Sequence, residues 1–384
     1  MNTMRAIRGN MVTPFQALNP GQVEVKGSKI MYVGPCRDFA GEIVDYGGMV
    51  IAPGFIDIHV HGLAGYDAMD REKDCIQNIS HHLAAKGVTG FLATLQTAPH
   101  KEIVEALGRV KQAMTEDTGG ARVLGSHLEG PYISPKRIGA QREHVREPTI
   151  RELGEIVSAA GGTLKVVTLA PEIVGGLEAV KYLKARGVVV SAGHTDASYV
   201  DACRAFEAGV SLLGHFWNGM RGLHQREPGV VGAGLTDDNV AVELIADCHH
   251  IHPVVLGLTV KLKGAGNVVL VSDSIKPAGL PSGEYVYGDR TFLLEDNLVK
   301  LPSGVIAGSS IGLDKAVQNM VETVGVCLPH AVQMATDSPA RVLGLKTKGR
   351  LETGYDADIV VMDECFNVVE TIVMGRTVYR VSEY

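Results

Sequence analysis

From residue 50 onward the chain alternates between two hydrophobic rhythms. Short, near-continuous apolar runs recur as GFIDIHV (54–60), TGFLATL (89–95), ARVLGSHL (121–128) and LKVVTLA (164–170). They continue as GVVVSAGH (187–194), SLLGHF (211–216), VAVELIAD (240–247) and NVVLVSD (267–273). Runs dominated by Val, Ile and Leu predict strands buried on both faces, as in a parallel sheet. Between most of them apolar positions recur with a helical period, as in EKDCIQNISHHLAAKG (72–87) and KEIVEALGRVKQAM (101–114). The first of these ends on a glycine suited to a helix cap. Eight strand–helix repeats predict an α/β fold, a (β/α)8 TIM-like barrel, with a doubly wound open sheet as the alternative.

The two ends of the chain follow another pattern. GQVEVKGSKIMYVG near the start and ADIVVMDECFNVVETIVMGRTVYR near the end carry short alternating runs broken by turn residues. They predict antiparallel strands, and residues 1–52 plus 345–384 are expected to build one small β-sandwich domain beside a barrel of residues 53–344. Segment 275–308 is too long for a plain strand-to-helix loop and reads as an inserted hairpin.

Polar residues then separate barrel from open sheet. His59, His61, Glu129, His194, His215 and Asp273 all stand at or just past the C-terminal end of an apolar run, on five different predicted strands. In a barrel those ends form one face, where active sites lie. Within GFIDIHVHG the strand period puts Asp57, His59 and His61 on one side, with the two imidazoles about 6.5–7 Å apart. Taken alone, such a pair is more often a pair of hydrogen-bonded surface histidines; its company reverses that reading. Imidazole and carboxylate are natural ligands for Zn2+, Fe2+ or Mn2+, and a bound water whose pKa falls toward about 7 can attack a carbonyl. Asp273 in VLVSDS is placed to take and pass on a proton. Its competing reading, a helix N-cap, is weakened by the proline at 277.

Composition narrows the setting. A net charge of −7 gives no basic surface for nucleic acid. No apolar run approaches the roughly 20 residues a membrane helix needs, and MNTMRAIRGN has no signal-peptide core. The six cysteines form no C-x-x-C pair, which suits a reducing cytoplasm.

HLEGPY (127–132), SAGHTDA (191–197), GHFWNGM (214–220), REPG (226–229), ADCHH (246–250), LVSDS (270–274) and IAGS (306–309), in this order, resemble the N-acetylglucosamine-6-phosphate deacetylases of the amidohydrolase superfamily. The resemblance implies a metal-dependent deacetylase with one or two divalent cations per subunit. Glu129, His194 and His215 would hold the principal metal. His59 and His61 would hold a second, with Glu129 bridging, and Asp273, itself one of the six candidate metal ligands, would be general base, then general acid. Ala140, Asn218, Gly219 and Ala307 would line the sugar pocket, and Arg226 with His250 would bind the phosphate. The guanidinium fork of Arg226 suits a phosphate, although a lone loop arginine is more often merely solvated. A homodimer that completes the phosphate site is the expected partner arrangement.

Three residues depart from the family pattern. Gln141 stands where the family has a histidine near the substrate carbonyl, with His144 as a candidate substitute. Cys248 replaces the glycine of Asp-Gly-x-His, and His249 and His252 beside it are expected to be structural or solvent-facing. Trp217, the single tryptophan, either walls the sugar site or packs in the core. The galacto epimer of the substrate, another N-acyl or cyclic amide, and a catalytically silent scaffold are the competing readings. The last would be marked by lost ligands, and all six candidates are present.

Overall fold

The computed structural model describes residues 4–382 apart from Gln16 and Lys73. Residues 1–3, 16 and 383–384 of the predicted terminal unit, and Lys73 of the predicted 72–87 helix, therefore lie outside the described residues. All eight predicted barrel strands form: β1 Phe55–Val60, β2 Val88–Leu95, β3 Arg122–Glu129, β4 Leu164–Leu169, β5 Val189–Ala192, β6 Val210–Leu213, β7 Ala241–Ile245 and β8 Val268–Val271. Each pairs in parallel with the next, giving one eight-stranded sheet in chain order. A helix follows each strand: α1 Cys75–Ala84, α2 His100–Thr115, α3 Ile150–Ala160, α4 Gly176–Lys184, α5 Tyr199–Ala208, α6 Gly229–Thr236, α7 Pro253–Lys263 and α8 Leu313–Glu322.

Local chemistry sets the helix limits. Thr149 accepts the Glu152 amide ahead of α3, which ends on Gly161 in the left-handed region. Ser198 and Asp201 form a reciprocal capping box on α5. The inward faces of α1–α3 place Ile79, Leu83, Ile103, Leu107, Leu153 and Ile156 against Phe91, Leu128 and Val167 of the strands in one buried cluster.

The barrel closes through the segment that follows β8. The Asp273 amide donates to the carbonyl of His59 at 2.9 Å, and the amides of His61 and Gly62 donate to Ser274 at 3.0 and 3.1 Å. The seam therefore runs through the predicted site residues.

The terminal segments form a separate seven-stranded sheet. Its order is Arg376–Arg380, Val368–Val373, Ile359–Met362, Glu42–Pro53, Met4–Val12, Ala17–Lys26 and Lys29–Pro35. It is one continuous mixed sheet, since Met4–Val12 pairs with Glu42–Pro53 in parallel. Alternation fixes which residues face inward but not strand direction, so this parallel pair was not predicted. The sheet curls: Ile30 of one wing and Ile372 of the other share a core, and the Ile30 amide reaches Tyr355. The expected hairpin insert is larger than one hairpin. Gly283–Tyr287, Arg290–Glu295, Leu298–Lys300 and Ile306–Ser309 make a four-stranded antiparallel sheet. Asp296 and Asn297, both at positive φ, form a two-residue turn within it.

Phe55 opens β1 directly after the last terminal-sheet residue pair at Pro53, and it is fully buried beside Gly87. Phe55→Ala is expected to destabilise the fold by about 3–5 kcal/mol, read from chemical denaturation of the metal-free protein. A loss below about 1 kcal/mol would show that this junction does not anchor β1.

Candidate active site

Five strand ends meet around the carboxylate of Glu129, the last residue of β3. Its Oε1 lies 3.0 Å from His215 Nε2, 3.3 Å from His194 Nε2 and 3.4 Å from His59 Nε2, and Oε2 lies 3.3 Å from His61 Nε2. Asp273 Oδ1 is 3.5 Å from Nε2 of both His59 and His61. Glu129 and the four imidazoles are buried. His194, His215 and Asp273 all follow their strands in the left-handed region, with φ of 46°, 29° and 46°. Non-glycine residues there are uncommon and are retained where surrounding structure holds them. Each turn brings its side chain back over the barrel mouth. Gly219 (φ 59°) closes on this cluster: a Cβ there would sit 3.2 Å from His194 Nδ1.

Hydrogen bonds orient three of the rings. Nδ1 of His194 bonds the carbonyl of Arg137 at 2.8 Å, and Nδ1 of His215 bonds that of Asn218 at 3.1 Å. A carbonyl only accepts, so Nδ1 carries a proton and Nε2 is the nitrogen turned toward Glu129. Nδ1 of His59 lies 2.8 Å from Glu243, while its buried Nε2 has no hydrogen-bonded partner. Ring nitrogens crowded on a carboxylate need positive charge between them, supplied by protons or by a cation. Donors on a tetrahedral cation at about 2.0–2.1 Å lie about 3.3–3.4 Å apart, close to the spacings here. The donor set thus fits a divalent cation, with His59/His61/Glu129 and Glu129/His194/His215 as the two groups able to hold one. The third cluster, His59/His127/Glu243, is hydrogen-bonded scaffolding: His127 spends Nδ1 on Ile58 and Nε2 on Thr168. Burial drives its pKa down to about 3, so it is neutral.

The cluster forms the floor of a cavity of about 690 Å3. Ala140, Gln141, Asn218, Gly219, His250 and Ala307 line it together with His61, Glu129, His194, His215 and Asp273, while His59 lies beneath the lining. Arg226 does not: it is exposed, outside the cavity of this chain. The side chain of His250 is held by Asp247, Nδ1 to Oδ2 at 2.6 Å. Gln141 is committed at both ends, accepting the Thr97 amide at 3.0 Å and donating to Glu129. His144 is exposed and does not replace it. Trp217 donates to Thr259 on α7 at 3.0 Å and packs against the core, so it does not wall the cavity. His249 is exposed and His252 caps α7.

Sequence reasoning missed three contributors. Glu243, fully buried in β7, bonds His59; its signal was an acid inside an apolar run. Arg290 of the inserted sheet, donating to Ala140, and Lys276, which precedes that sheet and pairs with Asp70 at 2.7 Å, both stand in the cavity wall. Nothing in their local pattern announced this.

A profile of the amidohydrolase family matches residues 50–378. An N-acetylgalactosamine-6-phosphate deacetylase of Escherichia coli O157:H7 is 42% identical over 329 residues, covering 85% of this chain and 87% of its own. The N-acetylglucosamine-6-phosphate deacetylase of Bacillus subtilis (strain 168) is 34% identical over 377 residues, 96% of this chain and 95% of its own. Among solved structures, the N-acetyl-D-glucosamine-6-phosphate deacetylase of Mycobacterium smegmatis, a variant in complex with N-acetyl-D-glucosamine-6-phosphate, superposes with a TM-score of 0.93. It is 29% identical, and the match covers 98% of this chain and 99% of that one. Barrel and donor cluster define a hydrolase, and the chain belongs to the amidohydrolase family. Within that family it falls in the N-acetylglucosamine-6-phosphate deacetylase group.

The electrostatics make one expectation. Burial alone would lower the His61 pKa, but hydrogen bonds to Asp273 and Glu129, with their charges, outweigh it and raise it to about 9. An imidazolium cannot ligate, so below pH 9 a cation must displace this proton. Apparent Zn2+ affinity of the metal-free protein should therefore rise between about pH 7 and pH 8.5, by about tenfold per unit for each proton displaced. Titration against a competing chelator measures it, and an affinity independent of pH would contradict the assignment.

Proposed function

We propose that the protein hydrolyses the acetamide of N-acetylglucosamine 6-phosphate to glucosamine 6-phosphate and acetate. The observation that carries this reading is the convergence of Glu129, four histidines and Asp273, all but the fully buried His59 lining the floor of a cavity large enough for a phosphorylated hexosamine. The deacetylases to which the chain is similar support the substrate class. One or two divalent cations, Zn2+, Fe2+ or Mn2+, would be held by Glu129, His194 and His215, and by His59 and His61 with Glu129. A cation bound there supplies a water that ionises near neutral pH and draws charge from the amide carbonyl.

In this reading Asp273 takes the proton of the attacking water and returns it to the departing nitrogen. Burial alone would raise its carboxyl pKa; the charge of His59 and the hydrogen bond to His61 outweigh that and hold it below the ordinary value, ready to accept a proton. Ala140, Asn218, Gly219 and Ala307 would pack against the sugar, with Gln141 beside the reacting amide. His250 would donate to the phosphate, its Nδ1 fixed by Asp247 and its other nitrogen left for the ligand.

Arg226 is assigned to the same phosphate through a second copy of the chain. The support is twofold: it is exposed outside its own cavity, and α7 turns the apolar stripe Val254, Leu258 and Leu262 to solvent, at 70, 44 and 50% exposure. A stripe of that kind suits a homodimer contact. Six free cysteines support a cytoplasmic setting, and among the described residues no helix is long and apolar enough to cross a membrane. The domain division proposed is residues 1–52 plus 345–384 against 53–344.

A second reading, the galacto epimer, is favoured by the 42% identity to an N-acetylgalactosamine-6-phosphate deacetylase. Acetate release by the cation-loaded enzyme from both 6-phosphates and their unphosphorylated parents separates the two. Activity is expected on a phosphorylated sugar and lost without the phosphate. Asp273→Asn should lower kcat by about 100-fold or more with KM little changed. No acetate from any of the four sugars would sink the proposal.

A further inference from the structure

Glu243 sits below the cavity and is not part of its lining. It is fully buried in β7, and nothing in the proposed reaction uses it. A single oxygen, Oε2, serves two neighbours. It is 2.8 Å from Nδ1 of His59 and accepts the backbone N–H of His215 at 3.0 Å. These residues come from β1 and from the turn after β6, and they belong to the two different donor groups. His127, whose ring centroid is 4.5 Å from that of His59, has both nitrogens engaged elsewhere. Glu243 Oε1 has no hydrogen-bonded partner, so the charge of the carboxylate acts on His59 and His215.

We infer that Glu243 is a positioning residue that couples the two cation positions through one shared oxygen. By holding a proton of His59 on Nδ1, it fixes the ring with Nε2 turned toward the first position. By anchoring the main chain at His215, it holds a donor of the second. Loss of this acceptor oxygen frees the His59 ring to rotate and releases the turn that carries His215. Residues that orient metal ligands in this way typically alter affinity 10–100-fold. The inference rests on the cation-site reading above but not on the identity of the substrate.

The experiment is a Zn2+ titration of the full-length protein against a chromophoric chelator, with bound metal counted by elemental analysis. Wild type, Glu243→Ala, Glu243→Gln and His61→Ala are compared, each checked for folding by circular dichroism. Wild type is expected to bind two cations per chain. Glu243→Ala should weaken both stepwise constants, by about 10-fold or more. His61→Ala, which removes one donor and leaves Glu243 in place, should weaken one. Glu243→Gln keeps an oxygen able to accept both N–H groups, so it should restore most of what Ala loses; it also serves if the Ala variant does not fold. Wild-type constants in Glu243→Ala, a loss confined to one position, no recovery in Glu243→Gln, or fewer than two cations in wild type would each overturn the coupling. Because the readout is metal binding, a protein that binds both cations as expected yet releases no acetate would sink the substrate reading and leave this inference standing.

Discussion

One carboxylate sets the terms for the rest of this molecule. Glu129 holds four imidazole nitrogens within 3.0–3.4 Å, in a place with almost no access to solvent. A buried charge is costly unless paired, and here the pairing comes from strands far apart in the sequence. His59 and His61 arrive on β1, His194 after β5 and His215 after β6. No open arrangement of those strands brings the four rings to one oxygen pair. A closed barrel does, because the C-terminal ends of all its strands share one rim.

Closure and site are also the same set of bonds. β1 and β8 meet through the backbone of His59, His61, Asp273 and Ser274 and not through a long regular ladder. The strain of a left-handed Asp273 is therefore carried at the seam, where Ser309 also donates to its carbonyl at 3.0 Å. That bond ties the last strand of the inserted sheet to the same spot. Ligation at this rim would reinforce the weakest join in the barrel, so cation binding and global stability are linked by mass action.

Much of this was legible because the signals were local. Strand period and apolar runs located all eight barrel strands, and donors at strand ends marked the rim. The features that escaped depend on three-dimensional neighbours. Arg226 lies in a loop whose pattern carries no information about which way it projects. Trp217 adjoins a site residue in sequence yet turns to Thr259 on α7. The parallel pair in the terminal sheet and the four-stranded insert follow from strand direction and turn geometry, which alternation leaves open. Glu243 was readable in principle. An acid amid VAVELIAD violates the apolar pattern of a doubly buried strand, and such violations concentrate at functional sites.

Gln141 and the His-x-His pair are best understood together. Gln141 accepts from Thr97 and donates to Glu129, and its amide cannot become cationic in any protonation state. His144, the nearby alternative, is out in solvent. Neither Gln141 nor His144 therefore supplies an imidazolium at the reacting amide. In the proposed reaction the rim can supply that charge, since His59 and His61 add a second group of donors beside Glu129. Arg290 reaches from the inserted sheet to the carbonyl of Ala140 and holds this loop against the cavity. Gln141 is thereby kept on Glu129, as a brace for the carboxylate on which both donor groups depend.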